Sequence, residues 1–228
     1  TYQNAAKVSN KGWDLELRWN DLINDFRYGA SFILSDVKNK VVDLKGISMT
    51  GLTVNREGHS INSIYGLEAI GYISEEDYNA DGSYKHATQF GAFAPGDIKY
   101  KDQNGDNIID GEDRVVLNRK IPLNFGMNLS FGYKDFDFSL NMYGKLNTKK
   151  YLQGYEGWAF YLTDNARPMH LDAWSESNPD ASYPRLTLTN TSNDYDSRYN
   201  SFWLRTADYL KIQNVQVGYT VPQSVLER

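Results

Sequence analysis

The amino-acid sequence predicts an all-β fold in which antiparallel strands form an arc of a large transmembrane β-barrel carrying long extracellular loops. Three observations predict it. The first is alternation with period two between Asn124 and Tyr143. Phe125, Met127, Leu129, Phe131 and Tyr133 fall on one face, against Asn124, Gly126, Asn128, Ser130 and Gly132. After Lys134 and Asp135 the pattern restarts, with Phe136, Phe138, Leu140 and Met142 opposing Asp137, Ser139, Asn141 and Tyr143. Two such runs joined by two polar residues form a hairpin. The second observation is the character of the polar face. It is mostly Gly, Ser and Asn, whereas a water-facing sandwich carries Lys, Glu and Thr; small polar residues suit the crowded, wet interior of a barrel whose apolar face meets lipid. The third is composition. Only 40% of the 228 residues are hydrophobic while 14% are aromatic, and no run approaches the roughly 18 consecutive apolar residues of a membrane helix. A barrel strand crosses with about 9 to 11 residues, only alternate ones apolar.

Charge and cysteine content narrow the function classes. The net charge of -5 offers no basic stripe to neutralise phosphates, which argues against a nucleic-acid partner. With no cysteine in the chain, thiolate metal sites, thiol nucleophiles and disulfides are removed. That fits an envelope protein crossing an oxidising compartment unfolded. The chain opens on Thr1 without an initiator Met or signal peptide and stops at Arg228, so a piece of something larger is expected.

Taken in order, Val8-Ser-Asn-Lys-Gly12 reads as a turn. Trp13 to Trp19 follows as a strand with Trp13, Leu15, Leu17 and Trp19 on its apolar face, as if each rim carried an aromatic girdle. After an Asn20 to Asp25 turn, Phe26 to Leu34 alternates again, and Asp36 to Leu44 reads as a strand end leading into a loop. Ile61 to Ile73 is extended, with Gly66 and Gly71 as bends. The acidic run Glu75, Glu76, Asp77 and the Asp81-Gly82 turn read as a solvated loop to which no chemistry is assigned.

Residues 97–117 contain the most specific local motif. Asp102, Asn104, Asp106, Asp110 and Asp113 stand at positions one, three, five, nine and twelve of a calcium loop, with the Ile108 carbonyl at position seven. Calcium takes 6 to 8 oxygens, and this spacing lets one loop supply them. Asn107 replaces the usual Gly at position six, where Asn tolerates the left-handed turn, and Asp113 replaces Glu at position twelve. The flanks Asp97 to Tyr100 and Arg114 to Leu117 are extended, so a loop between two short strands is expected, with a structural calcium ion as its candidate cofactor. The bland alternative is an Asx-bonded turn without metal.

The stretch Pro95-Gly-Asp-Ile-Lys-Tyr-Lys-Asp-Gln-Asn-Gly-Asp106, continued through Asp113-Arg-Val-Val116, resembles the C-terminal half of SusC/RagA-type TonB-dependent outer-membrane transporters. Val8 to Leu17, Ile61 to Tyr65, Ala173-Trp-Ser-Glu-Ser-Asn-Pro-Asp-Ala-Ser-Tyr-Pro-Arg-Leu186 and Phe202 to Thr220 are similar to the same family, in its order, over nearly the whole chain. The resemblance implies a cell outer membrane location, contact with outer-membrane lipid, and import of oligosaccharides or peptides captured with a SusD-like surface lipoprotein. Residues 1–228 would be a partial barrel domain, roughly six to eight strands of a barrel that closes at about 22. TonB would act through an N-terminal part that these residues do not include. The chain would be a carrier component and no enzyme.

Residues 144–200 read as one long outer loop, which a compact soluble domain would not carry but an outer-membrane barrel does. Within it Tyr155, Trp158, Phe160, Tyr161, Trp174 and Tyr183 are the candidates to stack on sugar rings or dock a partner; the alternative is that they pack the loop. His170, near Asp172, lacks a nucleophile motif and reads as a structural contact. In Asp208 to Thr220, Leu210 and Ile212 share a parity that Val215, Val217 and Tyr219 do not, so a bulge at Gln213-Asn214 is expected. Val221-Pro222 ends the strand and Gln223 to Leu226 begins a short turn. Two other classes fit parts of this pattern: a soluble, secreted β-sandwich binding glycans, and a glycoside hydrolase fragment needing two carboxylates about 5 to 10 Å apart.

Overall fold

A computed structural model describes residues 6–46, 51–117, 122–162, 165–188 and 199–223. Its strands, in chain order, begin with β1 (Lys7–Ile23), β2 (Phe26–Asp43), β3 (Thr53–Val54), β4 (Ser63–Gly66) and β5 (Ala69–Tyr72). They continue with β6 (Ile98–Tyr100), β7 (Val115–Val116), β8 (Leu123–Tyr133) and β9 (Phe136–Leu146). The last are β10 (Lys149–Tyr151), β11 (Leu204–Thr206) and β12 (Tyr209–Tyr219). The five long ones form one sheet in the order β1-β2-β8-β9-β12, fewer than the six to eight expected. The short ones make separate ladders, β3-β4-β7, β5-β6 and β10-β11.

Register explains why the long strands associate. Cross-strand partners place Ala30, Leu129, Leu140 and Val215 in one row, and Phe32, Met127, Met142 and Ile212 in the next. Toward the turns lie Tyr28, Phe131, Phe138 and Val217, then Phe26, Tyr133, Phe136 and Tyr219. Aromatic rings bridge the strands, Phe131 to Phe138 at 6.1 Å and Phe136 to Tyr219 at 4.6 Å between centroids, as cross-strand pairs do. The other face carries Gly29, Ser130, Ser139 and Gln216, beside Ser31, Asn128, Asn141 and Asn214. There Asn128 Nδ2 donates to Ser31 Oγ at 3.0 Å. The bulge falls where parity demands it: Ile212 pairs with Met142 and Asn214 with Asn141, leaving Gln213 as the extra residue.

The apolar face is unpartnered. Leu17 is 59% exposed, Trp19 62% and Val217 74%, so no second sheet covers it among the described residues. Both hairpin turns, at Asn24 (φ 54) and Lys134 (φ 50), lie at one end of the sheet, and both long connections leave from the other.

Two expectations at the sheet are corrected. Val8–Gly12 is no turn, because β1 runs unbroken from Lys7; Gly12 sits so close to β2 that a Cβ there would meet the Asp36 main-chain oxygen. The glycine answers a close approach, which local sequence cannot distinguish from a turn. Likewise Asn20 to Ile23 is strand, the turn between β1 and β2 being Asn24-Asp25 alone, while β2 runs on to Asp43 as the expected strand end. A ladder partner overrides weak local alternation.

The chain separates into two compact units. One is the long-stranded sheet, Val8–Lys40, Lys120–Lys149 and Thr206–Arg228. The other gathers Thr1–Lys7, Val41–Arg119 and Lys150–Arg205 and has its own core of Leu67, Ile98, Tyr100, Ile109, Tyr151, Trp158 and Trp203. The long connections are therefore folded, with a core assembled from segments far apart in sequence. Of Gln223–Leu226, only Gln223 lies within the described residues.

Candidate functional site

The loop unit holds every residue singled out for binding. Its Asp102–Asp113 segment lies between β6 and β7, as the extended flanks predicted, and Asn107 takes φ 66. Its carboxylates, however, turn to the loop's own backbone. Asp102 Oδ1 accepts from the Gly105 N–H at 2.6 Å and Oδ2 from Asn107 at 2.9 Å. The Gly105 N–H above all holds the Asp102 carboxyl below its usual range. Asp106 Oδ1 accepts from Ile108 N at 2.8 Å, Asn104 Oδ1 from Asp106 N at 3.0 Å, and Asp110 Oδ1 from Glu112 N at 2.7 Å. Asp113 is fully buried, taking Gln103 N at 2.7 Å on Oδ1 and Asp110 N at 2.8 Å on Oδ2. Among the described residues no three His, Asp or Glu side chains converge where a metal could be held. As arranged, the loop is closed by Asx bonds, and Asp113 is its anchor.

The six aromatic candidates have different surroundings. Trp158, 5% exposed, belongs to the core, and Tyr161 meets it edge-on at 5.3 Å. Tyr183 packs edge-on to His170 at 5.1 Å and tilts against Trp203 at 6.2 Å. Phe160 is half-buried with φ 57. Tyr155 is 48% exposed, under the Arg167 guanidinium at 5.5 Å. Trp174 lines an open cleft with Tyr72 and Ala181. His170 is structural: its Nδ1 accepts from Arg167 N at 2.9 Å, so Nε2 carries the proton and donates to the Gly157 carbonyl at 3.1 Å.

Two polar nodes fix the cleft. Asp97, fully buried, receives Arg185 through Nε to Oδ1 at 2.8 Å and Nη2 to Oδ2 at 2.9 Å, the fork geometry that only arginine supplies. Beside it Trp174 lies over Gly96, whose φ is 87 and where any Cβ would run into the indole. Tyr72 donates its hydroxyl to the Ala181 carbonyl at 2.9 Å, and burial above all pushes that phenol up to about 12. The second node is Asp77, expected in a solvated loop but only 7% exposed. Its Oδ1 accepts from Lys99 Nζ at 2.8 Å and pairs with His86 Nε2 at 2.7 Å, while Oδ2 accepts from Ser74 N at 2.9 Å. Burial alone would raise its pKa, but Lys99, the Ser74 N–H and His86 outweigh it and leave about 2. The spacing Ser74-Glu-Glu-Asp77 is a capping-box signal that could have found it. Nothing in sequence announces the Asp97–Arg185 pair.

A scan against protein-family models matches none. The TonB-dependent receptor P26 of Formosa agariphila is 28% identical, over 96% of this chain and 23% of its own length. The TonB-dependent receptor SusC of Bacteroides thetaiotaomicron is 22% identical, over 96% of this chain and 21% of its own. Among solved structures, the RagAB peptide transporter superposes with a TM-score of 0.72 over 98% of this chain and 24% of that one, at 17% identity; this shows the fold. The chain thus spans roughly a quarter of the relatives it matches. Those relatives are receptors and a transporter rather than enzymes. The likeness read from the motifs holds along almost the entire chain, which is similar to a barrel segment of the SusC/RagA type of TonB-dependent receptor.

Proposed function

We propose that this chain is part of the wall and outer loops of a TonB-dependent transporter in the outer membrane, importing an oligosaccharide or peptide together with a SusD-like surface lipoprotein. One observation carries the reading: a five-stranded sheet whose aromatic and aliphatic face is unpartnered while its reverse is mostly Gly, Ser and Asn, with Arg27, Asp137 and Lys211 among them. Lipid is the medium in which such a face is stable and such a reverse can line a wet interior. In water the face would be a large aggregation-prone patch, and a β-sandwich would have covered it. Among the described residues no helix is long and apolar enough to cross a membrane, which says nothing of strands. The edges β1 and β12 would pair with further strands of the complete protein. Import with a lipoprotein partner is supported by the SusC and RagAB likeness, and the word "peptide" belongs to RagAB.

The test is to follow the intact polypeptide in fractionated envelopes with an antibody to this segment, and to assay uptake in a deletion strain. The reading expects a detergent-extracted outer-membrane band whose gel migration changes on boiling, and loss of uptake of one oligosaccharide or peptide class. A soluble band without heat modification would refute it.

A further inference from the structure

The geometry points to a docking groove for a substrate peptide bearing lysine or arginine, formed on the loop unit at the Tyr72–Trp174 cleft; the inference rests on the import reading above and gives it a substrate class. The cleft encloses about 760 Å³ between the 71–76 and 174–181 segments. Its walls are apolar, chiefly Tyr72 and Trp174, while Glu75, Glu76, Glu176 and Asp180 stand around it with no cation among the lining residues. None of these four carboxylates forms an ion pair with a described residue.

Most other carboxylates of the unit are either paired, as Asp97 is with Arg185, Asp77 with Lys99 and His86, Glu68 with Lys101 and Glu156 with Lys150, or bonded to main-chain amides, as Asp81, Asp102, Asp106, Asp110, Asp113 and Asp172 are. Lys85 gives its ammonium to the Glu76 main-chain oxygen at 2.6 Å, not to the Glu76 carboxylate.

Charge complementarity names the occupant. Four unmatched carboxylates around a low-dielectric concavity focus a negative potential. A lysine or arginine side chain laid against the walls would place its stem on Tyr72 and Trp174 and its charge over the indole and among the carboxylates. A neutral oligosaccharide could stack on Trp174 but would use none of this charge, and an anionic one would be repelled. The groove is also held in shape before any ligand arrives, because Trp174 is seated on Gly96, Tyr72 is tied to Ala181 and Arg185 clamps Asp97. Binding then costs little reorganisation.

The experiment uses the intact transporter with its lipoprotein in detergent. It compares a fluorescent alternating lysine–alanine peptide with its glutamate–alanine and serine–alanine counterparts, each also carrying a photo-crosslinking residue. The lysine peptide is expected to bind at least about tenfold more tightly than either counterpart and to crosslink within residues 71–76 or 174–181. Joint Glu75→Gln, Glu76→Gln, Glu176→Gln and Asp180→Asn is expected to abolish that preference while leaving heat modification intact. No preference, a preference that survives the quadruple change, or crosslinks confined to the lipoprotein or to other parts of the chain would overturn the groove. Uptake separates the two claims: import of another solute without lysine-peptide binding sinks the groove alone, whereas lysine-peptide binding without import of anything sinks the transport reading alone.

Discussion

Replacing Arg185 with Ala tests how the loop unit is held together. Asp97 is fully buried and the Arg185 side chain is 30% exposed, so the change strands a buried carboxylate without its countercharge. Breaking a buried pair costs about 3 to 5 kcal/mol. The lower end applies here, because the arginine keeps partial access to water and the Ala94 N–H still donates to Asp97 Oδ2 at 2.9 Å. About 3 kcal/mol corresponds to a roughly hundredfold rise in local opening. The amides that report it are Arg185 N, bonded to Gly96 O, Gly96 N, bonded to Ile73 O, and Ile73 N, bonded to Asp97 O. Hydrogen exchange of the intact protein read by mass spectrometry should show this acceleration in peptides covering 70–98 and 173–186, with the sheet strands unchanged. Arg185→Lys should fall between, since a point charge cannot replace the fork. Exchange within a few-fold of wild type in the alanine variant would refute the clamp.

Four further outcomes follow from the same geometry. The Asp77 carboxyl, held at about 2, is depressed, so its contribution of about 2 kcal/mol is full above about pH 4 and fades as pH falls toward 2; Asp77→Asn should accelerate exchange of residues 74–86 at pH 7 and flatten its acid dependence. Deleting Gln213 removes only the unpaired bulge residue and should leave a heat-modifiable protein, whereas deleting Gln216 throws Val217 and Tyr219 out of parity with Val215 and should abolish assembly. Leu140→Arg, central in its apolar row, should cost about 2 to 4 kcal/mol in urea unfolding from lipid, with Ser139→Arg costing clearly less. Chelating calcium should leave exchange at Gly105 and Asn107 unchanged, because Asp102 already caps both; slowing on calcium addition would show the loop taking the ion.

Sequence carried the sheet further than the loops. Period-two alternation is local, so β8, β9 and the apolar half of β12 could be read directly, and a parity break was enough to locate the bulge beside Gln213. Where alternation lapses, at Val8 to Gly12 and Asp36 to Asp43, the strands persist because of a ladder partner that no local window contains. The loop unit was illegible for the same reason on a larger scale. Trp158 and Trp203 meet Leu67 and Ile98 in one core, and Arg185 meets Asp97 across 88 positions. Of the aromatic residues open to either a binding or a packing role, Trp158 lies in that core and Tyr183 packs against it. The acid-rich 102–113 segment shows the converse: spacing alone cannot say whether carboxylates face an ion or their own backbone.

The central claim is that one face of the long-stranded sheet meets lipid and the other a wet interior. With no cysteine in this segment, single cysteines can be placed in turn from Asn128 to Phe131 and from Phe138 to Asn141, spin-labelled in the intact protein and reconstituted in bilayers. Oxygen and a water-soluble nickel chelate then compete as relaxing agents. The account predicts strict alternation, with Leu129, Phe131, Phe138 and Leu140 oxygen-accessible and Asn128, Ser130, Ser139 and Asn141 not. Equal nickel accessibility on both faces would contradict it.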